Sequence, residues 1–257
     1  MSGNMIDLTH ELDIPSGERT GIYVQCSDVV VSDNQVYVRG ETDPRTTGIV
    51  VDGAAANVTV HDNIVRHCGR GFVTTRAGST VEKVLGPGRF LAGLEIEKQW
   101  AYSHRYRGWF VHWLDGKHAG TVVAFDGFDA KTVEFKLAEP LRISEGERFG
   151  YYPGQANWMI HHNIVEGCTE PVVLDSYGSD TSLFTDNLIG RGLATGVRAA
   201  VVLKGNIAVE CNRIVGFDEE GAVGIAVHPD PLGTLWDKNC ANNTVCSCSR
   251  DAVVVRE

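Results

Sequence analysis

No run of eighteen apolar residues occurs in the 257-residue sequence, so nothing in it reads as a membrane-crossing helix. Its opening, MSGNMIDLTH, lacks the basic start and apolar core of a secretory leader. The compartment stays open: cytoplasmic as it stands, secreted or periplasmic if a leader has been removed. Basic residues are few, with 23 Lys and Arg against 33 Asp and Glu and a net charge of −10. That balance argues against a nucleic-acid partner and against nonspecific binding to anionic membranes. Helical periodicity is nearly absent. The seven cysteines include no CxxC pair at zinc spacing, and CSC at Cys246–Cys248 is too tight for one.

What the sequence does contain is repetition. VTVHDNIVRHC (Val58 to Cys68) and WMIHHNIVEGC (Trp158 to Cys168) are near copies one hundred positions apart. Aligned on their asparagine, they join SDNQVYV at Asn34, TDNLIGR at Asn187, ECNRIVG at Asn212 and ANNTVCS at Asn243, with SGNMIDL at Asn4 a weaker member. Successive asparagines fall 24 to 31 residues apart, except for the single step of 100 between Asn63 and Asn163. A fixed period of this size predicts a solenoid carrying one large insertion.

Each unit reads as three short strands rich in Val, Ile and Thr, punctuated by Gly, Asn and Asp. The last strand of the unit recurs as GIYVQ, GIVVDG, GFVTT, PVVLDS, AVVLKG, GIAVHP and AVVVRE. The asparagine is expected at the turn, adopting the left-handed backbone conformation and bonding to its equivalent one rung away. In these features the sequence resembles the right-handed parallel β-helix superfamily, the pectate-lyase-like fold. There, such an asparagine ladder marks the turn between the second and third sheets. The resemblance covers residues 1–77 and 156–257, and about seven rungs are expected. It implies a fold and not an activity, because many chemistries share the scaffold. No lyase or hydrolase signature transfers residue by residue. Neither end offers a capping helix, which implies either a longer protein or self-association through the helix ends.

Cys68, Cys168 and Cys248 each follow a ladder asparagine by five positions and should stack in one interior row. A metal site or disulfides are conceivable there; inert core thiols fit the pattern better. Residues 78–155 break the repeat and read as a small antiparallel β domain. Asp115-Gly116 marks a hairpin in it, and KTVEFKLAEPLRI a further strand pair. Trp100, Tyr102, Arg105, Arg107, Trp109 and Trp113 crowd its first half. They suit either a sugar-facing wall of aromatic faces and guanidiniums or the core of a compact module.

Aligning the last strands of the rungs gives an outward row of Gln25, Asp52, Thr75, Asp175, Lys204, His228 and Arg256, with Tyr177 and Asp180 beside it. Neighbouring strands lie about 4.8 Å apart, so the row is a ladder of functional groups at that pitch. The resembled fold keeps its cleft on this sheet, and a carbohydrate partner follows from the resemblance. A polysaccharide lyase would take Lys204, His228 or Tyr177 as base, with calcium as a candidate cofactor for a polyuronate. A glycoside hydrolase would take Asp52 and Asp175, about 9.6 Å apart by strand pitch. The cleft is expected between this sheet and the inserted domain, with Asp175 at its centre. The remaining alternative is a non-catalytic carbohydrate-binding or structural module.

Overall fold

The computed structural model describes residues 1–9, 18–53, 55–93, 109–129, 131–154, 156–176, 182–205, 207–228 and 240–254. The chain divides into two compact units, Met1–Thr75 with Gln155–Glu257, and Arg76–Gly154.

The first unit is a parallel β-helix. Its three parallel sheets contain six, seven and seven strands, and each rung contributes one strand to each sheet in turn. The rung of Asn63 shows the pattern, with strands Val58–His61, Ile64–Arg66 and Cys68–Thr74. Its neighbour carries Asn163, on Trp158–His161, Ile164–Glu166 and Glu170–Ser176. Val58 pairs with Trp158, Val65 with Val165 and Phe72 with Val172, so the hundred-residue step moves the chain by a single rung without shifting its register.

Alternation decides which residues build the core. Val60, Val65, Phe72, Ile160, Val165, Val172 and Leu174 are each at most 1% exposed and form one continuous cluster. Full burial of each such side chain contributes roughly 1.5–3 kcal/mol. Glycine enters where the third sheet is pressed against this core. A Cβ added at Gly48 would lie 2.3 Å from a Val65 methyl, and one at Gly71 would lie 2.5 Å from Val165 and 2.3 Å from the Pro171 carbonyl.

The asparagines form an unbroken ladder. The side-chain amide of Asn34 donates to the carbonyl of Asn63 at 2.9 Å, Asn63 to Asn163 at 2.9 Å, and Asn163 to Asn187 at 3.0 Å. The series starts at Asn4 and continues through Asn212 to Asn243. Each carbonyl also accepts the backbone N–H of the preceding ladder residue, as in Asn34 to Asn63 at 3.0 Å and Asn63 to Asn163 at 3.1 Å. One sequence expectation is corrected here. The left-handed residue is not the asparagine but the one before it: Asp33, Asp62, His162, Asp186, Cys211 and Asn242 have φ between 53° and 57°. This bend carries the chain around the corner, and the asparagine behind it is left to point inward, where its amide serves the ladder.

Cys68 and Cys168 are fully buried and all seven cysteines are free thiols. Each of the two thiols donates to the carbonyl two residues back, on Arg66 and Glu166, at 3.6 Å. Burial pushes the Cys68 thiol up to about 12 and raises Cys168 as well, with Cys68 itself adding to that shift. Cys248 makes the same contact with Cys246 but is only partly buried.

The second unit is a closed six-stranded antiparallel barrel. Its core stacks Phe90 on Phe135 at 5.2 Å and sets Trp113 against Phe90 and Phe149 at 5.6 and 5.7 Å. Two local expectations are corrected. Trp109–Trp113 and Val122–Asp129 do pair, but through a longer connection containing a 3-10 turn at Gly116–His118. KTVEFKLAEPLRI yields one strand, Glu134–Leu137, because Pro140 has no N–H to offer a ladder.

Candidate functional site

The outward row on the third sheet is in register. Asp175 lies opposite Lys204, and Lys204 opposite His228. All three are half-buried, on strands Glu170–Ser176, Ala199–Gly205 and Val223–His228. The parallel ladder puts their α-carbons on consecutive rungs about 4.8 Å apart, close enough for their side chains to act on one small group.

A groove of about 770 Å³ runs over the outer face of this sheet and is lined by Lys204 and His228. Val173 and Val202 lie on its floor, and Arg70, Glu170 and Arg198 line it as well. Arg70 pairs in register with Glu170 on the next rung and donates from Nε to the Thr47 hydroxyl at 3.1 Å. With Glu18 included, the groove carries three basic side chains, Arg70, Arg198 and Lys204, against two carboxylates, on a chain of net charge −10. The sequence reading placed none of Glu18, Arg70, Glu170 and Arg198 in a site. Arg70 and Glu170 stand side by side at the start of their strands, five positions before Asp175's row, and aligning those positions too would have exposed them. Arg198 precedes its strand, in a loop that the repeat does not specify.

The other residues singled out from the sequence fall elsewhere. Asp52 is 8% exposed and accepts a hydrogen bond from the Tyr23 hydroxyl, which burial and then this bond push well above the usual phenol range. Neither Asp52 nor Asp175 is among the residues that line this groove. Trp113 is fully buried and Trp109 is 7% exposed, stacked on Tyr151 at 6.4 Å. Both belong to the barrel core, and the sugar-facing role is corrected for these two: a face already covered by Phe90, Phe149 or Tyr151 has no area left for a pyranose. Trp100, Tyr102, Arg105, Arg107, Tyr177, Asp180 and Arg256 lie outside the described residues.

A second polar group sits at the asparagine turns. His61 stacks on His161 one rung away, with ring centroids 5.2 Å apart and planes 4° from parallel. The His161 and His162 Nδ1 atoms are 2.8 Å apart, and His61 Nδ1 lies 2.6 Å from an Asp62 oxygen. Burial, followed by the charges of His162 and His61, pushes His161 below the ordinary histidine value, while the bond from His61 lowers Asp62. Among the described residues no group of three or more His, Cys, Asp or Glu is placed to hold a metal ion, and no helix is long and apolar enough to cross a membrane.

Three parallel sheets, one ladder asparagine per turn and a rung-by-rung register define the class: the chain is a right-handed parallel β-helix protein. The family model described as a right-handed β-helix region matches residues 8–84. No curated protein matches the chain.

Proposed function

We propose that this protein binds an acidic polysaccharide along the groove on its third sheet and cleaves it by β-elimination. The observation that carries the reading is the charge of that groove. Arg70, Arg198 and Lys204 gather there on an otherwise acidic chain, beside His228 and over an apolar floor. A uronate chain has the matching chemistry, with a carboxylate on each ring for a guanidinium to engage and a C–H face to lie on Val173 and Val202.

Elimination begins with loss of the proton α to the carboxyl group. Lys204 in its neutral form is the proposed base, taking that proton as negative charge spreads onto the carboxyl oxygens. Arg70 and Arg198 neutralise the developing charge, the part that calcium would otherwise play. Among the described residues Glu18 and Glu170 are the groove's carboxylates, and no group of three or more His, Cys, Asp or Glu there is placed to hold a metal ion. His228, one rung beyond Lys204, is positioned to protonate the departing oxygen. Asp175, opposite Lys204 on the other side, orients the amine by accepting a hydrogen bond from it.

The hydrolytic alternative draws less support. It needs two carboxyl groups facing one bond, and the Asp52 carboxylate is instead engaged by Tyr23. Incubation with a panel of polyuronates and neutral glycans tests the proposal, with the absorbance of unsaturated ends and the release of reducing sugar followed separately. Unsaturated product from a polyuronate is expected. Reducing ends without unsaturation would indicate hydrolysis, and binding without either product a non-catalytic carbohydrate-binding module.

A further inference from the structure

The groove does not stop at the edge of its sheet. Thr169 lines it and also lines a second cavity of about 490 Å³ across the turn, shared with Glu41, Thr42, His67, Leu193 and Thr195. That size is within the range of small-ligand sites.

Differences in turn length create this second cavity. On the rungs of Asn63 and Asn163, the second and third strands are joined by short turns, residue 67 alone and residues 167–169. The flanking connections are longer, spanning residues 38–42 on one side and 191–198 on the other. The rungs that carry these two walls are three steps apart, about 14 Å at ordinary strand spacing.

The floor and walls are held in place. Gly167 has φ of 68°, and a Cβ there would lie 2.6 Å from the His67 ring, so glycine is what lets that imidazole approach the turn so closely. Thr42 ties one wall to the floor by donating to the Gly167 carbonyl at 2.8 Å. The other wall turns at Arg191, whose carbonyl accepts the Ala194 N–H at 3.1 Å and whose guanidinium holds Glu219 at 3.1 Å. The Gly196 N–H also donates to Glu219, at 2.8 Å. Leu193, at the tip of this braced loop, is 90% exposed.

The two cavities differ in charge. The groove carries arginine and lysine, whereas the second cavity has no lysine or arginine in its lining and instead offers Glu41, hydroxyl groups, an imidazole and the apolar side chains of Leu193 and Ala194. A carboxylate without a cation repels a uronate but accepts hydrogen bonds from sugar hydroxyls. We infer that the second cavity is a subsite for a neutral sugar branch, so that the glycan taken by this protein is an acidic backbone carrying a neutral side residue. The inference rests on the groove reading given above. The backbone lies on the third sheet, the branch crosses Thr169, and its ring sits between Leu193 and His67 with its hydroxyls on Glu41 and Thr195.

The test uses an array of acidic oligosaccharides in matched pairs, unbranched and with a single neutral branch, including galacturonate oligomers with and without xylose. Wild-type protein is compared with Leu193→Ser and with Glu41→Gln, both surface changes. Branched members of at least one pair should bind about tenfold tighter, the effect of one or two added hydrogen bonds and an apolar contact. Leu193→Ser and Glu41→Gln should each shrink that preference while leaving binding of the unbranched member unchanged. Equal binding of both members, or rejection of the branched one, overturns the subsite and leaves the groove reading standing. Binding to no acidic glycan overturns the groove reading and the subsite with it.

Discussion

Removing the Asn63 side chain should cost far more than removing Asn4, although both belong to the same ladder. The Asn63 carbonyl accepts two bonds from Asn34, at 3.0 Å from its backbone N–H and 2.9 Å from its side chain. The Asn63 amide donates to Asn163 at 2.9 Å and to the carbonyls of His61 and Val31 at 2.9 and 3.0 Å. Asn63→Ala therefore strands two donors on Asn34 and takes the amide donor from the Val31 and His61 carbonyls in a buried region, while the Asn163 carbonyl keeps its bond from the backbone N–H of residue 63 at 3.1 Å. Each unsatisfied buried group costs about 1–3 kcal/mol, so a loss of about 3–5 kcal/mol is expected after partial relaxation. Asn4 is exposed and receives no ladder bond from a preceding rung among the described residues, and the Asn34 carbonyl keeps its bond from the Asn4 backbone at 3.1 Å. Asn4→Ala should cost less than about 1 kcal/mol. Urea unfolding followed by circular dichroism measures both, and the Asn63 variant should show a midpoint lower by about 1–2 M. Asn63→Asp should be at least as damaging as alanine, since it turns an acceptor toward three carbonyls. Equal effects at Asn4 and Asn63, or a loss under about 1 kcal/mol at Asn63, would refute the ladder as a source of stability.

Gly71→Ala places a methyl group against Val165 and the Pro171 carbonyl, and should destabilise by about 1–3 kcal/mol in the same urea experiment. Thiol labelling of native protein near pH 8 should modify the exposed Cys26 and Cys211 and spare Cys68 and Cys168, whose buried thiols are raised far above that pH. The folded state lowers the affinity of His161 for a proton, so its contribution to stability is present above the ordinary value of 6.5 and is lost as pH falls through the lower folded value. Unfolding midpoints should therefore drop on acidification through that window, and His161→Gln should flatten the slope, with Asp62 and Asp186 opposing the repulsion from His61 and His162. Asp175→Asn should reduce turnover only modestly, since the proposed role of Asp175 is to orient Lys204.

The helix was legible because its signals are local and repeated. A period near 25 residues, alternation within strands and one asparagine per unit follow from stacking identical rungs, and each leaves a mark in the sequence. Even the register across the insertion could be read, because Asn63 and Asn163 sit in matching contexts. The left-handed residue was misassigned because asparagine tolerates that conformation so well; the buried ladder instead needs its amide pointing inward, and the bend falls to the residue before it. The barrel's aromatics were ambiguous for a different reason. A side chain such as Trp113 suits a binding face and a small core equally, and only the closure of the sheet decides between them. The groove was half legible. Lys204 and His228 stand on a row that the repeat points to, whereas Arg198 comes from a loop, and the second cavity arises from turn lengths that no single motif encodes.

The claim most exposed to refutation is that Lys204 takes the proton. Initial rates of unsaturated-end formation should be compared for wild type and Lys204→Met on the polyuronate that wild type cleaves, with binding of the same glycan measured in parallel. Loss of a general base should lower kcat by about 10²-fold or more while binding weakens little. Undiminished turnover in Lys204→Met, with the variant folded and the glycan bound, would contradict the account.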